Sequence, residues 1–78
     1  KTNIMNYKII KTKQGEVLLR RSHNSDNETE SQVIIECFIG NESDHYVEEV
    51  NFDLEASASD FIDNFSTTFA EKWIKNWI

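Results

Sequence analysis

Residues 22–71 contain no lysine or arginine, although thirteen of the fourteen carboxylates fall there. That absence excludes a dense basic face over most of the chain, and with it the ordinary way of gripping a nucleic-acid backbone. The cations sit on either side: Lys1, Lys8, Lys11, Lys13, Arg20 and Arg21 surround the remaining acid, Glu16, while Lys72 and Lys75 follow the acidic stretch. The net charge is −6. Folding does not ask for such segregation, because like charges closer than a Debye length, roughly 8 Å at physiological salt, repel one another. Two uses for it stand: a partner outside the fold, or solubility.

Other shortages narrow the class. The single cysteine, Cys37, cannot close an intramolecular disulfide, which argues against a stapled secreted domain and makes the cytosol the expected compartment. No apolar run approaches the ~18 residues of a membrane span, and residues 1–10 lack the apolar centre of a signal peptide. The sequons at Asn27, Asn41 and Asn64 are then chance matches in a chain rich in Asn, Ser and Thr. Proline and internal repeats are absent.

Catalytic residues are equally sparse. A nucleophile–base pair needs an imidazole beside a hydroxyl or thiol, and the only imidazoles are His23, in a polar stretch, and His45, at the start of a strand. Cys37 reads as a small buried hydrophobe inside a strand. The alternating acids Asp26, Glu28 and Glu30 imitate the start of a calcium loop, but its sixth position is Ser31 and its twelfth is Cys37, where glycine and a bidentate glutamate are required. His23, Cys37 and His45 are too dispersed for zinc. A binding protein is expected, with no enzyme activity, metal or cofactor.

Seventy-eight residues make one domain with a thin core. Tyr7, Ile9, Ile10 and then Val17, Leu18, Leu19 predict a hairpin, strands at about 6–12 and 16–22, with Gly15 available for a positive φ in the turn. Residues 23–31 are wholly polar and read as an exposed acidic loop. The strand at 32–39 is the strongest: Val33, Ile35, Cys37 and Ile39 share one face, Ile34, Glu36 and Phe38 the other, so a central place is expected. After the Gly40-Asn41-Glu42-Ser43-Asp44 turn, a strand at 45–54 turns Tyr46, Val50, Phe52 and Leu54 inward. Glu48 falls on that inward register, which predicts either a bulge at Glu48-Glu49 or a sheet edge.

Phe61, Phe65, Phe69, Trp73 and Trp77 recur every fourth residue, predicting one long amphipathic helix over about 58–77. Ser57 or Ser59 would cap it, with Asp60 and Asp63 near its positive end and Lys72 and Lys75 near its negative end. Ile74 falls on the opposite side, and Trp77 and Ile78 overrun the sheet-facing arc, offering a cap on the core or a dimer contact. The expected fold is α+β: an antiparallel meander of three to four strands with one C-terminal helix packed on one face.

Carboxylates spaced along a sheet edge, loop and helix can imitate a phosphate track and occupy the basic groove of a nucleic-acid-binding protein. Candidates are Asp26, Glu28, Glu30, Glu42, Asp44, Glu49, Asp53, Glu55 and Asp63. The order of acidic loop, strand (Gln32-Val33-Ile34-Ile35), Gly40-Asn41-Glu42 turn, strand (Tyr46-Val47) and acid-led aromatic run from Phe61 to Trp73 resembles the small acidic phage inhibitors of Cas9, the type II-A anti-CRISPR proteins. Ser43 and Asp44 are an insertion relative to that pattern. The resemblance implies a DNA mimic docking on the Cas9 surface that reads the PAM, with Gly40, Asn41 and Glu42 in the contact. The partner expected is a basic nucleic-acid-binding protein, Cas9 or similar, with no direct nucleic acid and no membrane. The alternative is a module that pairs with a protein or with its own copy through Trp77, Ile78 or an exposed strand edge, its acidity serving solubility.

Overall fold

A computed structural model describes residues 7–39 and 44–76. Four strands, β1 (Tyr7–Lys11), β2 (Gly15–Asn24), β3 (Thr29–Ile39) and β4 (Asp44–Asn51), form an antiparallel meander in that spatial order. Two helices follow, α1 (Glu55–Asn64) and α2 (Thr67–Ile74). The fold is α+β, with one sheet face under the helices.

Strand alternation builds the core. Ile10, Val17, Leu19, Val33, Ile35 and Cys37 project from one face and meet Ala58, Ile62, Phe65, Ala70, Trp73 and Ile74 from the helices. Among the described residues the largest fully buried side chain is Phe65. β3, flanked by β2 and β4, has the central place its two apolar faces predict.

The first hairpin turns on a side chain. Thr12 Oγ1 accepts from the amides of Gln14 and Gly15, and its hydroxyl donates to the Gly15 carbonyl at 2.8 Å. Gly15 does not take the positive φ expected of it; it sits in β2 opposite Ile39, where an added Cβ would collide with the Phe38 carbonyl oxygen. Close backbone approach, not turn geometry, requires this glycine.

The expected single helix is two. Phe65 is extended (φ −75°, ψ 104°), and Ser66 starts α2 as its N-cap, its hydroxyl accepting from the Phe69 amide at 3.1 Å. A serine followed by Thr67 and Thr68 favours a cap over a continued helix, because short polar side chains compete for nearby backbone groups. The break resets the helical phase. Ala70, Trp73 and Ile74 turn inward, while Phe69, expected in the core, is exposed. The rings of Phe52, Phe61, Phe65 and Phe69 still form a chain of contacts with centroids 4.7–5.6 Å apart, across the break. Trp77 and Ile78 lie outside the described residues.

Other helix-end expectations change with the break. α1 begins after Leu54, which makes no side-chain cap bond, so neither Ser57 nor Ser59 is the cap. Asp63 falls in the last turn of α1, at the negative end of the dipole. A cation from the sheet compensates: Lys8 Nζ donates to the Asp63 and Phe65 carbonyls at 2.9 and 3.3 Å.

Glu48 resolves in favour of the edge. The β3–β4 register runs without a shift from Gln32↔Asn51 to Ile39↔Asp44, and β4 is an outer strand. Glu48 faces the helices at the rim, where its Oε1 accepts from Trp73 Nε1 at 2.8 Å. The register shift that does occur lies in β2, between Ser22 and Asn24.

Candidate functional site

The polar stretch 23–31 is mostly strand. Only 25–28 turn, while β2 continues to Asn24 and β3 begins at Thr29. Side-chain bonds stand in for apolar periodicity here. Buried Asn24 accepts from the Asp26 amide through Oδ1 at 2.9 Å, and its Nδ2 donates to Ser31 Oγ and to the Phe52 carbonyl. Asn27 Nδ2 donates to the Phe52 and Asp53 carbonyls, and the Phe52 amide donates to the Ser31 carbonyl at 2.9 Å. Buried polar groups thus find partners within two adjoining segments.

That stitching brings the β2–β3 turn against the β4–α1 connection. Asp26, Glu28, Glu30, Asp53 and Glu55, all exposed, gather at one end of the sheet, and Asp60 and Asp63 extend the acidity along α1. Beneath them lies one cation. The Arg21 side chain is only 8% exposed; its Nε donates to the Glu30 carbonyl and its Nη1 to Ser59 Oγ, both at 2.6 Å, and its Nη2 lies 3.6 Å from Glu55 Oε1. Glu55 Oε2 in turn accepts from the Glu30 amide at 3.3 Å. Arg21 therefore fastens α1 to the hairpin from the inside and leaves the outer carboxylates facing water. The alternation Val17, Leu19, Arg21 already places it on the inward face.

Glu28 carries a second distinction. Its φ is 55°, among the described residues the only positive value outside glycine. Glycine or asparagine suits that conformation better than glutamate, so local backbone preference does not explain the carboxylate.

The expected contact residues do not all converge. Asp26, Glu28, Glu30 and Asp53 meet at this end, whereas Asp44 begins β4 at the other end, opposite Ile39. Eleven residues of β3 separate the two ends, roughly 35 Å of extended chain. Gly40, Asn41 and Glu42 lie outside the described residues. Glu49 projects from β4 on the sheet face without helices, opposite Ile34.

Among the described residues, three ion pairs form: Arg20–Glu36 at 3.1 Å, Arg21–Glu55, and His45–Glu36 at 3.3 Å when the imidazole is protonated. Two carboxylates of the acidic stretch are thus met by the basic hairpin; Asp26, Glu28, Glu30 and Asp53 are not among them. No group of three or more His, Cys, Asp or Glu side chains converges on a metal position among the described residues. No described helix is long and apolar enough to cross a membrane. Cys37 is fully buried, and burial pushes its thiol pKa up, so the nucleophilic thiolate is disfavoured. No protein family matches the chain, and no characterised protein or solved structure matches it significantly.

Proposed function

We propose that this protein is an acidic binding protein that presents carboxylates in place of phosphates to a basic nucleic-acid groove, and so blocks a DNA-binding protein. Cas9 is the first target to test, on the strength of the residue pattern. The observation that carries the reading is the gathering of Asp26, Glu28, Glu30, Asp53 and Glu55 at one end of the sheet, over an arginine that is turned inward. Groups fixed on a hairpin and a helix start need little reordering to bind; Glu55 is paired with Arg21, and the other four, in no ion pair among the described residues, steer association with a basic surface.

The test is association with guide-loaded Cas9 at low and high salt, with PAM-bearing duplex DNA as competitor. Affinity falls steeply as salt rises, the DNA competes, and Glu28→Gln with Asp53→Asn slows the on-rate about tenfold or more. Absence of binding at low salt removes Cas9 as the target. A complex with any nucleic-acid-binding protein that ignores both salt and these substitutions overturns phosphate mimicry itself.

A further inference from the structure

The helices cover one sheet face; no described helix packs on the other, the bare face, where Ile34 alone among the described residues is shielded, to 8% exposure. Beyond a polar row of Ser22, Gln32 and Asn51 at one end, its side chains fall in three cross-strand rows fixed by the pairing: Tyr7, Arg20, Ile34 and Glu49; Ile9, Leu18, Glu36 and Val47; Lys11, Glu16, Phe38 and His45. Tyr7, Ile9, Phe38 and Val47 are 43–57% exposed, four of the six large exposed hydrophobic side chains among the described residues. A solvated sheet face ordinarily alternates to polar residues, whereas clustered apolar exposure marks an interface.

We propose that a second copy of this chain covers the face, related by a two-fold axis that crosses the strands along the middle row. Such an axis lays each strand over its own counterpart, running the opposite way, and sets the first row on the third row of the other copy. In the central strands Arg20 then meets Glu16 of the second copy, and Ile34 meets Phe38. On β4, Glu49 meets His45 of the second copy, while Leu18 and Val47 meet their own equivalents near the axis. Opposite signs meet at Arg20–Glu16, and at Glu49–His45 when the imidazole is protonated, apolar groups meet at Ile34–Phe38, and on β1 Tyr7 meets Lys11, with the packed sheets about 30° from parallel. Glu36 also approaches its equivalent, and each is already held by Arg20 and His45 of its own chain. The other possible in-plane axis, along the strands, sets Leu18 on Glu36 and Glu16 on Phe38, apolar against acid, and brings the two acidic ends together. The crossing axis sends those ends to opposite poles.

Four strands about 4.8 Å apart, overlapping over roughly 20 Å about this axis, give a flat footprint of roughly 400 Å²; pleating and side chains enlarge it, yet it stays short of the ~800 Å² per partner of a standard interface, the size of a weak, concentration-dependent contact. The second copy is independent of the phosphate-mimic reading, since the acidic ends stay exposed in the dimer.

Sedimentation equilibrium of the intact chain from about 1 µM to about 1 mM tests the proposal. The mass rises toward twice the 9.1 kDa of one chain. Val47→Asp and, separately, Glu16→Lys each weaken association at least about tenfold, because every contact occurs twice. Thermal melts confirm that each variant is folded. Adding Arg20→Glu to Glu16→Lys restores association by exchanging the signs. A monomer throughout the range overturns the proposal, as does a dimer indifferent to both single changes. Failure of the exchange to restore the dimer overturns the crossing axis.

Discussion

The two faces of the sheet follow the same alternation and meet different fates. On the covered face, Val17, Leu19, Val33, Ile35 and Cys37 are at most 2% exposed, and the charged groups there, Lys8, Arg21 and Glu48, bond to the helices above. On the bare face, Ile9, Phe38 and Val47 stay half exposed, and Arg20 pairs with Glu36 at the surface. The neighbours Arg20 and Arg21 therefore differ in kind: one is half of a surface pair, the other a bolt between layers. What these residues contribute follows from their face more than from their type, with Ile34, 8% exposed on the bare face, as the exception.

The sharpest way to break this contrast is a matched pair of truncations. Ile35→Ala removes a side chain that is 2% exposed and leaves a cavity, costing about 2–5 kcal/mol. In a chain this small that is a large part of the total stability. Ile9→Ala, on the bare face, costs the monomer no more than about 0.5 kcal/mol. Urea midpoints measured on dilute protein check both, and a cost at Ile9 rivalling that at Ile35 would show the bare face to be core within a single chain.

The adjacent arginines give the next contrast. Arg21→Ala breaks charge-assisted bonds to the Glu30 carbonyl and Ser59 and leaves Glu55 beside other carboxylates, a loss of about 2–3 kcal/mol. Arg20→Ala removes an exposed pair and costs about 0–1 kcal/mol. Thermal unfolding at two salt concentrations separates them. The Arg20 effect shrinks with salt, while the Arg21 effect largely persists, because its guanidinium is shielded from solvent.

Much of this arrangement was legible in the residues. Period-2 alternation gave the order of the strands, the faces of β3 and the inward turn of Glu48, although β4 ends at Asn51 and Leu54, expected inward, is exposed; the spacing from Phe61 to Trp73 gave helix packed on one sheet face. The two misread elements share one cause. At Ser66 and across 23–31, polar side chains bond to the backbone and to each other, and hydrophobic periodicity is blind to such bonds. Ser66 therefore ended a helix that the aromatic spacing carried through, and Asn24 and Ser31 extended strands that composition assigned to a loop. The acidic end could not be assembled from sequence for the same reason: Asn27 joins it to Asp53, twenty-six residues away.

The smallest expected effect bears on whether that end is shaped by folding or by a partner. Glu28 holds φ at 55°, a conformation that costs a residue with a Cβ about 1–2 kcal/mol. Glu28→Gly removes the strain and one repelling carboxylate, but frees the unfolded chain by about 0.5–1 kcal/mol. The net change is a gain of up to about 1 kcal/mol, read as a small rise in the melting temperature. Glu28→Asn retains a Cβ yet tolerates the left-handed region, so its melting temperature falls between those of glycine and glutamate. If both variants are at least as stable as the parent while binding a basic partner more weakly, the glutamate is kept at a cost to the fold, and its use lies in contact. If glutamate proves the most stable of the three, the turn itself accounts for it, and the acidic end loses the one residue that folding alone does not explain.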